Sequence, residues 1–82
     1  MKGDFMTFAD CLRLIRLSVY MSQATLAEMS GIALGTIKGW ETSRQFPTPE
    51  HFGTLVEFFE ENDASPQKID ALKEIYLQCK KK

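Results

Sequence analysis

Between Gln23 and Thr42 the order of small, glycine and apolar residues admits very few folds. Ala27 is small where two helices must cross closely, and Gly31 falls where a tight turn needs a residue at ease with positive φ. Leu26, Ile32, Ile37 and Trp40 are apolar where such a pair buries its inner faces. The span therefore reads as two short helices meeting through a tight turn. Ser22 stands ahead of the first as its N-cap, with Met21 and Leu26 in the positions of a hydrophobic staple. That helix is expected to end at Gly31. The second, over 34–42, sets Ile37 and Trp40 on its inner face and Thr36, Lys38 and Gly39 away from it. Ala33 at its cap cannot accept the usual bond, and Gly35 and Gly39 each weaken it by about 1 kcal/mol against alanine.

The flanking sequence adds three more helices and no strand. Thr7 and Asp10 stand at capping-box spacing, and Phe8, Cys11, Leu12 and Ile15 then recur with a helical period as far as about Ser18. Thr48 followed by Pro49 is a cap with proline at the first helical position, ahead of a stripe of Phe52, Leu55, Val56 and Phe59. Ser65 and Pro66 repeat the device. The last helix, over about 66–80, carries an apolar seam of Ile69, Leu72, Ile75, Tyr76 and Cys79. Residues 1–82 are thus expected to form one all-α domain of five helices, its core spanning about 7–61.

Length and charge narrow the function. A chain of 82 residues leaves no room for a large catalytic architecture. Its 44% apolar and 26% charged residues are ordinary for a folded domain, which argues against disorder. The net charge of −1 argues against an indiscriminate polyanion binder. Every charge between Phe46 and Ser65 is acidic (Glu50, Glu57, Glu60, Glu61, Asp63), so a nucleic-acid face must avoid that stretch. No apolar run approaches the roughly 18 residues of a membrane span, and the N-terminus lacks the apolar core of a signal peptide. Cys11 and Cys79 are too few for a disulfide framework and have no metal-ligand spacing, so a reducing, cytoplasmic setting is expected. Both fall on apolar helical faces and are read as buried, inert thiols. His51 has no second ligand in reach and is read as surface or cap, and Trp40 as core. The adjacent Glu60 and Glu61 point differently on a helix, which suits solvation rather than acid–base work. No enzyme and no cofactor is implied.

From about Leu12 to Phe59 the sequence resembles the phage-repressor-like helix-turn-helix family of Cro/CI type, also called XRE. Residues 21–32 (MSQATLAEMSGI) are similar to its second helix and turn, and residues 36–41 (TIKGWE) to its third helix. The resemblance implies a lambda-repressor-like DNA-binding domain, its third helix lying in the major groove of duplex DNA. It places Leu34, Gly35, Lys38 and Gly39 at base-reading positions, with Thr36 beside them. It implies a phosphate contact for Gln23 and a second phosphate-contacting stretch at Ser43, Arg44 and Gln45. It also implies a structural salt bridge between Arg16 and Glu41. The chain departs from the family pattern where Tyr20 and Ser43 stand at common glycine positions, which leaves two left-handed positions to ordinary residues.

Two classes of function fit these residues. One is a repressor-like transcriptional regulator that occupies an operator as a homodimer. Leu34 and Gly35 offer only van der Waals contact to a base, so specificity then draws on DNA shape. The other is a protein-interaction module that keeps the scaffold without DNA reading and binds a protein partner through Leu34 and its neighbours, or the antitoxin of a toxin–antitoxin pair, which binds both DNA and a protein. The seam of the last helix is open to two uses, packing back on the domain or pairing Ile69, Leu72, Ile75, Tyr76 and Cys79 with a second copy. The Lys80 to Lys82 run reads as a solubilising end.

Overall fold

The computed structural model describes residues 6–80, and among them five helices and no strand. They are α1 (Phe8–Ser18), α2 (Gln23–Ser30), α3 (Leu34–Glu41), α4 (Pro49–Glu61) and α5 (Pro66–Lys80). The Lys80 to Lys82 run lies outside the described side chains. Helix α3 ends one residue before the expected boundary, because Thr42 serves as its C-cap.

Local chemistry fixes where the helices start. At α1 the Asp10 N–H donates to Thr7 Oγ1 at 3.0 Å while the Thr7 N–H donates to Asp10 Oδ2 at 3.4 Å, a reciprocal capping box. The Thr7 N–H, together with the Thr7 hydroxyl, holds the Asp10 carboxyl below its ordinary pKa. Ser22 Oγ accepts from the Thr25 N–H at 3.0 Å, and Thr48 Oγ1 from the His51 N–H at 3.2 Å with Pro49 in the first turn. Helix α3 has no side-chain cap, as Ala33 dictates.

Helix ends show a second, repeated device. Tyr20, Ser43 and Asp63 have φ of 60°, 63° and 64°, each one residue beyond a C-cap. In each case the following N–H turns back to a carbonyl in the last helical turn: Met21 to Arg16 at 3.3 Å, Arg44 to Gly39 at 2.9 Å, Ala64 to Phe59 at 3.0 Å. These are Schellman closures with ordinary residues in the left-handed position that glycine usually fills. Gly31, at φ 81°, closes α2 with its N–H on the Ala27 carbonyl.

The core joins all five helices. Leu12, Ile15, Leu26, Ile37, Trp40, Leu55, Phe59 and Leu72 are its fully buried side chains. Helix α5 packs on α1 and α4, with Tyr76 stacked between Phe46 and Phe52 and its hydroxyl donating to the Pro47 carbonyl at 3.2 Å. Ile69, Leu72 and Tyr76 are therefore interior residues, and Ile75 is half-buried against the same core. This corrects the seam as a dimer interface, since its main apolar side chains already face their own domain. Cys79 needs a second correction: it is exposed, whereas Cys11 is buried and its thiol pKa raised by that burial. His51 is exposed and sets its ring edge-on to Trp40 at 5.5 Å.

Candidate nucleic-acid interface

Helices α2 and α3 pack on each other through Leu26, Ile32, Ile37 and Trp40, all buried, with Ala27 half-buried at the contact. Anchoring α3 by Ile37 and Trp40 turns its other side outward. Leu34, Gly35, Lys38 and Thr42 are exposed, and Thr36 is half-buried at the edge of that strip. Lys38 lies three residues from Gly35 and four from Leu34 and Thr42, so these residues share one helical face.

Gly39 belongs to the same side by spacing, yet it is buried. The cover is the Gln45 side chain, whose Cδ would stand 2.9 Å from a Cβ at position 39 and whose Cγ would stand 3.1 Å away. Gly39 therefore does not offer the exposed backbone expected at a base-reading position. Its carbonyl accepts the N–H groups of both Arg44 and Gln45, at 2.9 and 3.1 Å, which hooks the loop after α3 onto the helix. Ser43, Arg44 and Gln45 remain exposed along that loop.

A buried ionic knot holds the unit to α1. Arg16 donates through Nε to Glu41 Oε2 at 2.7 Å and through Nη2 to Glu41 Oε1 at 2.9 Å, a two-point contact between side chains almost wholly removed from water. Arg16 Nη1 also donates to the Met21 carbonyl at 2.8 Å. Glu41 Oε1 accepts a third bond, from Gln23 Nε2 at 3.0 Å. Gln23 is thus fastened to the end of α3, which leaves its amide oxygen and its second N–H for an outside partner.

One participant, Arg13, and one contact, the seat of Gln45 on Gly39, lie beyond the expectations from the sequence. Arg13 donates to the Glu41 carbonyl at 3.3 Å and to Asp10 at 3.4 Å, so it caps the C-terminus of α3 from the exposed side of α1. Its place one turn before Arg16 was the available signal. The seat of Gln45 on Gly39 had none, because a loop side chain's path over a helix follows from tertiary closure.

The acidic residues Glu50, Glu57, Glu60, Glu61 and Asp63 are exposed on α4 and the turn after it, off the α2–α3 strip. That strip carries Lys38, with Arg44 in the loop beside it. Among the described residues no cluster of His, Cys, Asp or Glu could hold a metal, and no helix is long and apolar enough to cross a membrane.

A family model described as helix-turn-helix matches residues 12–63, from within α1 to the turn that closes α4. The chain belongs to the Cro/CI-type, or XRE, helix-turn-helix family. No curated protein and no solved structure matches the chain. Family membership makes the α2–α3 unit a DNA-binding helix-turn-helix of a regulatory type. Helix α5 stands outside the matched span.

Proposed function

We propose that the protein is a sequence-specific DNA-binding regulator that inserts α3 into the major groove and represses by occupying its operator. The observation that carries the reading is the exposed strip of Leu34, Gly35 and Lys38 on a helix anchored from behind by Ile37 and Trp40. Gln23 and Arg44 flank that strip from α2 and from the loop, where phosphates run on either side of a groove. The side chains suit contact with a thymine methyl through Leu34 and with a phosphate or guanine through Lys38. Few phosphate contacts and a net negative chain make one copy a weak binder, so the regulator works as a homodimer on two half-sites about 10 base pairs apart.

The test is selection of bound fragments from host DNA at two salt concentrations, followed by sequencing. A palindrome with that spacing, bound less tightly as salt rises, supports the reading. No enrichment at low salt overturns it. A protein-interaction or antitoxin role is the second reading, favoured by the exposure of Met29 and Leu34 on either side of the turn. Under it, Leu34→Asp abolishes capture of the partner while Arg44→Ala leaves it unchanged.

A further inference from the structure

We infer that Gln45, seated on Gly39, is the side chain that reads a base edge along the C-terminal half of α3, and that Gly39 is its positioning residue. The inference rests on the DNA reading above and deepens it. By helical spacing position 39 falls on the same side as the exposed Gly35, Lys38 and Thr42, but it is buried and has no side chain of its own. The Gln45 side chain fills that place, with Cδ, Cγ and Nε2 at 2.9, 3.1 and 3.2 Å from the point a Cβ would occupy. These distances are too short for any residue but glycine to stand beneath an unmoved glutamine.

The backbone fixes the same arrangement. Ser43 at φ 63° reverses the chain, and the Gln45 N–H then bonds the carbonyl of the residue its side chain covers, at 3.1 Å. The carboxamide is thereby carried to the outer side of the helix with no hydrogen bond to another described residue. It presents a donor and an acceptor side by side, which complements the N6 and N7 edge of adenine in the major groove. Leu34 and Gly35 lack that chemistry, so the loop supplies what the first turn of α3 does not. A phosphate contact, the role the family resemblance gave this stretch, would use the same amide without regard to sequence.

The experiment selects duplex sites from a random library with the full chain. Affinities are then measured for the selected site and each single-base-pair replacement of it, using wild type, Gln45→Ala, Gly39→Ala and Gln45→Arg. Gln45→Ala is expected to lose about ten-fold of preference for A·T at one position of each half-site and to keep the preferences elsewhere. Gly39→Ala flattens that same position, because its methyl moves only the far end of a flexible side chain, and its thermal midpoint stays at or above that of wild type. Gln45→Arg shifts the position toward guanine. Equal weakening on every sequence in Gln45→Ala, or no change at all, overturns the inference and leaves the DNA reading standing. A wild type that selects no site overturns both.

Discussion

Tyr20 sits in the left-handed region with its side chain 95% exposed, so it bears a conformational cost with no packing in return. Relief of about 1–2 kcal/mol in the folded state, set against the added freedom of glycine in the unfolded chain, gives Tyr20→Gly a net gain of about 0.5–1 kcal/mol. Chemical denaturation checks it, and an unchanged midpoint would count against strain at Tyr20. The Arg16–Glu41 pair behaves in the opposite way. Removing either partner strands a charge where water barely reaches, so Arg16→Ala is expected to cost about 3–5 kcal/mol. The double change Arg16→Met with Glu41→Leu should recover most of that loss, since both charges then leave the interior. Both left-handed departures, Tyr20 and Ser43, were legible in the sequence, because glycine was missing where a helix had to turn back. Asp63 was not noticed, although an Asn62-Asp63 pair is a mild signal for the same conformation. The bond from Gln23 to Glu41 was hidden for a different reason: its partners lie 18 residues apart and meet only after α2 and α3 have crossed.

At the scale of elements, sequence reading did well wherever the information is local. Caps, proline at a first turn and apolar spacing act within four residues, and they place the starts of all five helices, and the ends of α1, α2, α3 and α5, to within a residue. They do not say how far a partner helix continues alongside, which is why periodicity alone points to a buried Cys79 although the residue is exposed. Helix α3 is the weakest of the set in isolation, with eight residues, two glycines and no side-chain cap. A methyl added at Gly35 meets no atom within 4 Å, so Gly35→Ala is expected to stabilise the fold by up to about 1 kcal/mol. A thermal midpoint that falls would mean the helix is not ordered as described. Helix α1 carries a pH dependence through its capping box. The folded-state pKa of Asp10 is lowered, chiefly by the Thr7 N–H, so its contribution is present at neutral pH. It is lost as pH falls below the ordinary carboxylate value of 3.8 and through the lowered one. In Asp10→Asn the part of the acid-induced fall in thermal midpoint that belongs to this cap should disappear, and an unaltered pH profile would remove Asp10 from the account.

For the whole molecule, α5 decides whether the DNA-facing unit holds its shape. Phe46 and Pro47 begin just after Gln45, and Tyr76 grips both, stacking on the Phe46 ring at 5.0 Å and bonding the Pro47 carbonyl. The loop that carries Arg44 and Gln45 is therefore fixed at one end by Gly39 and at the other by a helix outside the family's matched span. Ile69, Leu72 and Tyr76 also complete the core over α1 and α4. A chain of this length has roughly 4–12 kcal/mol of total stability, by the usual 0.05–0.15 kcal/mol per residue. Leu72→Ala, at a fully buried position, takes about 2–5 kcal/mol of it. Ending the chain after Ser65 removes the buried Ile69, Leu72 and Tyr76 together and uncovers the Phe8 and Phe52 rings that pack on Tyr76, so the shortened protein is expected to lose its cooperative thermal transition. Circular dichroism on melting separates the outcomes. A cooperative transition retained without α5 would make that helix an appendage, and its seam would again be free to pair with a second copy.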